Sequence, residues 1–428
     1  MIKILDSKSK NFDITLDKLL SKRKNKIQLN SVSVTKIIKD VRKNGDKAII
    51  KYEKKFNKNN IIIPSSKQIN KSVTSLDKKV KKAVDLAYSR IYKFHSLQKF
   101  KNISYTDKLQ NKLEYKYIPI ESVAIYVPGS TASYPSSVLM NAIPALVAGV
   151  KRIIMINPSQ KGKQNPAVLY AARKCKIKEI YSIGGPSAIA GVTYGTKKIK
   201  KVDKIVGPGN LYVAAAKKEV FGDVGIEGMI AGPSEVTIVC DKFSNPEWVA
   251  SDLIGQAEHD ILAQCILISK DKLIITKVSE EINKQLKDLP RKKIIKNSLF
   301  NNGILIHMSS EKQIVNTVNK IAPEHLELNI KNYKNIVGKI KNSGSICLGK
   351  YAVMAMTDYN VGSNHVLPTN SSARYSSGIS VNEFYKRISY INLSKKGIET
   401  LGPSVITLAN YEGLTGHARS VEKRIRRK

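Results

Sequence analysis

The chain of 428 residues is 42% hydrophobic and carries 73 Lys or Arg against 34 Asp or Glu, a formal net charge of +39. Its length exceeds what one small core organises, so two or three structural units are expected around an ordinarily apolar interior. A disulfide-stapled scaffold and a membrane-spanning chain are both excluded: there are only four cysteines, and no run approaches the roughly 18 uncharged apolar residues of a membrane helix.

Charges recur too often in residues 1–25 for a secretory signal, which predicts a cytoplasmic protein with no membrane partner. The excess of lysine first suggests nucleic acid, whose phosphates reward dense positive charge. The lysines, however, run from Lys3 to Lys428 among isoleucines and asparagines, without the aromatic interleaving of a stacking surface. No specific nucleic acid is therefore expected.

Taken in chain order, residues 1–120 are polar, with apolar positions three or four apart over 33–56 and 78–100, the pattern of amphipathic helices. From residue 123 the texture changes. VAIYVPG, RIIMINP, EIYSIGG and KIVGPGN are short β-branched runs ending in Gly or Pro, separated by helix-like segments over 136–150, 166–175 and 187–195. Such alternation predicts a parallel, doubly wound sheet. It recurs as the strand EVTIVCD, the helix NPEWVASDLIGQAEHDI, the strand AQCILISK, a helix to about 287, then GILIHM, SSEKQIVNTVNKIA and SGSICLGK.

After Gly349 the chain turns Gly-, Ser- and Asn-rich, and a mostly helical tail is expected from about 380. The fold class predicted is α/β, with two Rossmann-like parallel-sheet lobes, an N-terminal helical arm and a C-terminal helical tail. The arm is placed at 1–24, a first lobe at 25–122 plus 237–378, a second lobe at 123–236, and the tail at 379–428.

Ligands of parallel α/β sheets bind where strands end, because glycines there let the backbone approach a phosphate. YVPGS (126–130), GGPS (184–187) and GPGN (207–210) are three such ends in one lobe. None is a full G-x-G-x-x-G, and each alone reads as a plain turn, but three at successive strand ends suggest a phosphate-binding edge as readily as plain turns.

The cysteines Cys175, Cys240, Cys265 and Cys347 form no CxxC pair, and three lie in apolar strand-like runs, so they are assigned no chemistry. His95 and His307 read as residues of packing or of a local hydrogen bond. His259 follows Gln256 by three residues in GQAEHD, which would place both side chains on one helix face as an oxygen and a nitrogen ligand. His365 and His417 lie near carboxylates, Asp358 and Glu412. Ligands of this kind without thiolate suit Zn²⁺, or Mn²⁺ in its place, although each histidine alone is more commonly structural. Glu324 and His325 stand side by side where a helix gives way to a strand after Pro323; they could divide proton-transfer work, or be a helix-end His beside a solvated Glu.

YVPGS, GPGNLYVAAAKKEVFG, AGPSEV, GQAEHD, APEHLEL, DYNVGSNHVLPT, SVNEFYKRISYINLSKKGI and EGLTGHARSVEKRI resemble, in this order, the successive signatures of the L-histidinol dehydrogenases, from about residue 25 to the C-terminus. The resemblance implies an enzyme of histidine biosynthesis that oxidises L-histidinol to L-histidine through L-histidinaldehyde, with one Zn²⁺ per subunit and two NAD molecules reduced. It implies Gln256, His259, Asp358 and His417 as zinc ligands. His325 would take the alcohol proton and Glu324 would activate water; Ser234, Gln256, His259, His325, Asp358, Glu412 and His417 would surround the substrate. Tyr126, Ser187 and Asn210 match the dinucleotide positions.

One of these departs from the family pattern: a glutamine is usual where this chain has Ser187, and a hydroxyl reaches less far than an amide, so that contact would be water-mediated or lost. The resemblance further implies a homodimer whose C-terminal tails carry Glu412 and His417 into each other's sites. Alternatives of the same fold oxidise other polar alcohols such as sulfonated diols. A metal hydrolase or a basic nucleic-acid-binding protein would differ in class and form no NADH.

Overall fold

The computed structural model describes residues 2–28, 31–129, 134–159, 162–227 and 232–425. Ser130 of the first glycine turn and Ala231 of the AGPSEV block lie outside the described residues. The strands are β1 (Lys3–Asp6), β2 (Ile103–Thr106), β3 (Lys112–Pro119), β4 (Ser122–Tyr126), β5 (Arg152–Ile156), β6 (Glu179–Tyr181) and β7 (Lys204–Val206). They continue with β8 (Gly225–Ile226), β9 (Glu235–Cys240), β10 (Gln264–Ser269), β11 (Ile304–His307), β12 (His325–Asn329), β13 (Ser345–Leu348) and β14 (Tyr385–Asn392).

The chain divides into two compact units, Met1–Gln98 with Glu121–Glu383, and Lys99–Ile120 with Phe384–Lys428. Within the first unit lie two parallel sheets, as the alternation of strand and helix predicts. The five-stranded sheet has the order β6-β5-β4-β7-β8. Its strand order reverses between β4 and β7, and the crevice at such a reversal is where doubly wound sheets bind ligands. β4 is buried along its whole length, as expected of a central strand covered by helices on both faces.

The six-stranded sheet has the order β1-β11-β10-β9-β12-β13. Successive residues of its strands feed opposite cores: Cys265 and Leu267 of β10 pack with the helix Pro246–Ala257 on one face, and Ile266 and Ile268 with the helix Glu311–Ile321 on the other. This is the two-residue side-chain period of a strand buried on both faces. Among the described residues no helix is long and apolar enough to cross a membrane.

Two stretches read as helical from the sequence contain strands. Residues 3–6 form β1, which lengthens the six-stranded sheet by pairing in parallel with β11; Ile2 and Leu5 supply the buried contacts, and the helix Phe12–Gln28 follows. Residues 103–119 form β2 and β3, and the tail opens with β14, which pairs antiparallel with β3 from Tyr385↔Pro119 to Asn392↔Lys112. In β3 Leu113, Tyr115 and Tyr117 alternate with Lys112, Glu114 and Lys116, a two-residue period that the density of lysine obscures, while β14, YKRISYIN, carries no such period. In this second unit the helices Lys395–Tyr411 and Thr415–Ile425 complete the tail.

Candidate active site

The cluster of titratable groups begins at β12. The helix Glu311–Ile321 stops at Ala322, which adopts a left-handed conformation (φ 47°) and returns its N–H to Val318 O. Pro323 then directs the chain into β12, placing His325 beside Val236 of β9 and Ser345 of β13. Glu324 and His325 are both buried. The Glu324 carboxylate accepts the Glu235 N–H at 2.7 Å, and burial, followed by the negative charges of Glu235 and Asp358, raises its pKa against that hydrogen bond.

His325 Nε2 lies 3.7 Å from Asp358 Oδ1 and 4.0 Å from Glu324 Oε1, while its Nδ1 has no hydrogen-bond partner among the described residues. Burial, reinforced by His365 and His259 nearby, lowers the imidazole pKa to about 3. A neutral ring with a free lone pair is suited to accept a proton. Asp358, on the short helix Met354–Tyr359, is raised to about 7 by burial.

Gln256 and His259 enter from the helix Pro246–Ala257. The helix ends one residue before Glu258, so the two side chains do not leave a continuous helix face as the sequence predicts. A tightened last turn, His259 N–H to Gln256 O at 3.3 Å, keeps them close nonetheless. Gln256 is fully buried, and neither its Oε1 nor its Nε2 has a partner among the described residues. Burial lowers the pKa of His259.

The cluster therefore lies at the amino edge of the six-stranded sheet, not at the carboxyl ends that the strand-end rule favours. The five-stranded sheet meets it from its carboxyl side. Ser137, in the first turn of the helix Pro135–Ala148 that follows β4, reaches His365 Nε2 at 3.4 Å, and His365 Nδ1 bonds Asp358 O at 2.8 Å. Among the described residues no group of three or more His, Cys, Asp or Glu is arranged to hold a metal ion.

At the carboxyl edge of the five-stranded sheet, Tyr126 closes β4, and its hydroxyl accepts the Gly185 N–H at 3.1 Å. Gly207, just past β7, packs so closely on Tyr126 that a Cβ there would lie 2.3 Å from its carbonyl oxygen. The two flank the reversal of strand order.

The family model described as histidinol dehydrogenase matches residues 20–425. The chain belongs to the histidinol dehydrogenase family. It is 86% identical over its full length to the whole histidinol dehydrogenase of Pelagibacter ubique, and 44% identical over 99% of its length to the whole enzyme of Nitrosomonas europaea. The crystal structure of histidinol dehydrogenase from Elizabethkingia anophelis superposes with a TM-score of 0.90 at 37% identity, covering 99% of this chain and 98% of the other. As a member of the family, the chain is an oxidoreductase that oxidises histidinol in histidine biosynthesis.

For a histidinol dehydrogenase the placement of the anticipated residues is uneven. Glu324, His325 and Asp358 converge, His259 is close enough to His325 to lower its pKa and is tied to Gln256 through the backbone, and Ser234 is next to Glu235, whose N–H binds Glu324. Asn210 caps the helix Leu211–Glu219 by accepting the Tyr212 and Val213 N–H groups, each at 3.1 Å. Ser187 is buried, and its hydroxyl donates to Gly184 O at 3.1 Å. Glu412 and His417 belong to the second unit, where both are exposed.

His365, which the sequence offers as a candidate ligand near Asp358 but the family resemblance leaves out, sits inside the cluster, and burial lowers its pKa to about 4. One feature escaped the sequence. Behind His325, Glu327 and Asp252 share a side-chain hydrogen bond, and burial raises the pKa of both. The signal was an acidic residue two positions after His325 in a strand otherwise apolar enough to be central. His95 is the packing residue expected, buried with Nδ1 on Ile91 O at 2.8 Å, and all four cysteines are free and buried.

Proposed function

We propose that this histidinol dehydrogenase carries out a four-electron oxidation of L-histidinol to L-histidine through L-histidinaldehyde, with one zinc per subunit and NAD as hydride acceptor. The observation that carries this reading is the convergence of a neutral buried imidazole, a carboxyl of raised pKa and an unpartnered buried amide at one place. The donor set fits zinc. Gln256 is a fully buried amide with both polar atoms unpartnered among the described residues, His259 is held neutral by burial, and Asp358 supplies a carboxylate 3.7 Å from His325. We assign these three and His417 of a second copy as ligands. Zinc, when bound, supplies a cationic anchor for the amino alcohol.

In this reading His325 takes the hydroxyl proton as the carbinol hydride leaves for NAD, yielding the aldehyde. Glu324 takes a proton from the water that adds to the aldehyde carbon, and a second hydride leaves for a second NAD. Burial raises the pKa of Glu324, which makes its carboxylate a stronger proton acceptor, as this role requires. Ser234, Glu412 and His417 would line the substrate together with the zinc ligands and His325.

The dinucleotide is assigned to the lobe at 123–236, at Tyr126 and Asn210. Ser187, whose hydroxyl is held by Gly184, would act through the shape of its turn or through a bridging water. The metal and catalytic lobe is assigned to 25–122 plus 237–378. The tail from 379 would reach a partner in a cytoplasmic homodimer, and its apolar surface supports this: Tyr411, Ile391 and Leu408 are 92%, 67% and 61% exposed. The test is a spectrophotometric assay of zinc-loaded protein with L-histidinol. Two NADH per histidine are expected; a ratio of one, or turnover without NAD, would refute the reading.

A further inference from the structure

Lys217 is 1% exposed, on the helix Leu211–Glu219 beneath the glycine turn that follows β7, and its ammonium donates to Gly207 O. A lysine is rarely buried so completely, because removing an ammonium from water is unfavourable unless something compensates for it. Desolvation accordingly lowers its pKa to about 8, opposed by the negative charge of Glu227. Glu227 is itself engaged by Lys204 at 3.2 Å, so its charge is shared. If holding the Gly207 carbonyl were the whole task, a neutral amide would suffice; the full positive charge requires a further account.

Two glycine turns at the carboxyl edge of the five-stranded sheet, one after β6 and one after β7, have opposite electrostatics. At GGPS, the Gly184 N–H is taken by Glu53 Oε1 at 2.7 Å and the Gly185 N–H by the Tyr126 hydroxyl at 3.1 Å. An anion there would find its donors occupied and a buried acidic group beneath. At GPGN, Pro208 has no N–H, and among the described residues the N–H groups of Gly209 and Asn210 meet no acceptor. The turn is half-exposed or exposed from Pro208 to Asn210. Gly207 (φ 103°) is fixed against Tyr126, and a Cβ on Gly209 would strike Val213 at 2.3 Å, so the turn is pinned from both sides as well as from below.

We propose that Lys217 is a positioning residue for the dinucleotide: it fixes the Gly207–Asn210 turn and provides the positive charge that the pyrophosphate meets there. This rests on the assignment of NAD to that edge. Lys217 itself stays buried and acts through the turn and through its field, which weakens little in a dry, low-dielectric interior.

The test compares the wild type with Lys217→Met and Lys217→Gln in NADH formation, and in inhibition by ADP against adenosine, which lacks the phosphates. Loss of the charge is expected to raise the KM for NAD and the Ki for ADP by about tenfold. The Ki for adenosine, the KM for histidinol and kcat at saturating NAD should stay within about twofold, a split that general loosening of the fold would not produce. Lys217→Gln, which keeps a neutral donor to Gly207 O, should fold like the wild type yet lose the ADP preference. A folded variant with unchanged ADP affinity overturns the proposal. So does a wild type that binds ADP no better than adenosine, a result that needs no variant. Wild type that forms no NADH from histidinol instead defeats the NAD assignment, and is seen first.

Discussion

His325 Nε2 and Asp358 Oδ1 stand 3.7 Å apart, a separation typical of an ion pair, yet burial pushes the two pKa values in the directions that disfavour one, to about 3 for the imidazole and about 7 for the carboxyl. The imidazole keeps its lone pair at neutral pH. His325→Asn retains the size and a polar group but cannot accept the proton. We expect the first hydride transfer to slow by about a hundredfold or more, with zinc content nearly unchanged. Single-turnover NADH formation and metal analysis on the same preparation check this; a rate loss that merely follows zinc loss would remove His325 from the base role.

Gln256 is expected to trade stability for function. With two buried polar atoms unpartnered among the described residues, the amide penalises the metal-free fold by about 1–3 kcal/mol. Gln256→Leu fills similar volume without that penalty. In chelated protein its melting temperature should equal or exceed that of the wild type, while zinc retention falls. If the metal-free variant were less stable by a similar amount, the amide would be serving a structural hydrogen bond instead.

Gln256 with His259, and Asp358 with His365, could be paired in advance because each pair is close in sequence, whereas the contact that joins Ser137 to His365 could not. The first two are neighbours in sequence, so local geometry brings them together even though the helix ends at Ala257. His365 reaches Asp358 O, seven residues away, at 2.8 Å, a local contact, but its link through Ser137 to the helix Pro135–Ala148 is encoded by no local period. Both parallel sheets were legible because their strands are short apolar runs punctuated by Gly and Pro. β3 and β14 were not, since their register depends on a partner more than 250 residues away. The location of the cluster at the amino edge of its sheet was likewise beyond any strand-end rule.

Glu327 links three parts of the site. Its Oε1 accepts the Met354 N–H at 2.7 Å, at the start of the helix carrying Asp358, and it also pairs with Asp252, one turn before Gln256. Two carboxyls joined by a hydrogen bond hold one proton between them, which an amide can imitate. Glu327→Gln should keep kcat/KM within a few-fold of the wild type. Glu327→Leu leaves a buried N–H unpaired, at about 1–3 kcal/mol, and should lower both kcat/KM and thermal stability. Equal loss in the two variants would mean that the negative charge itself is required.

Glu53 gives a pH test outside the cluster. Burial raises its pKa to about 7, against the Gly184 and Asn57 hydrogen bonds. A carboxyl raised in the folded state stabilises most below its unfolded value of about 4.5 and loses that contribution as pH rises toward about 7. The melting temperature of Glu53→Gln relative to wild type should therefore increase with pH across this window, as followed by thermal denaturation. A difference independent of pH would place the folded pKa near its ordinary value.

Sharing of the site between subunits can be decided with two inactive proteins. His325→Asn lacks the proposed base but keeps an intact tail, whereas His417→Ala keeps the base and lacks the tail's ligand. If each tail serves the other subunit, a mixed dimer contains one site with no lesion and one with both. Random assortment makes half of the dimers mixed, so equal amounts refolded or co-expressed should recover about a quarter of the wild-type activity. Were His417 to act within its own chain, every site in every dimer would carry one lesion, and mixing would restore nothing. The exposure of both Glu412 and His417 on the second unit is the state expected of side chains that await a partner's surface.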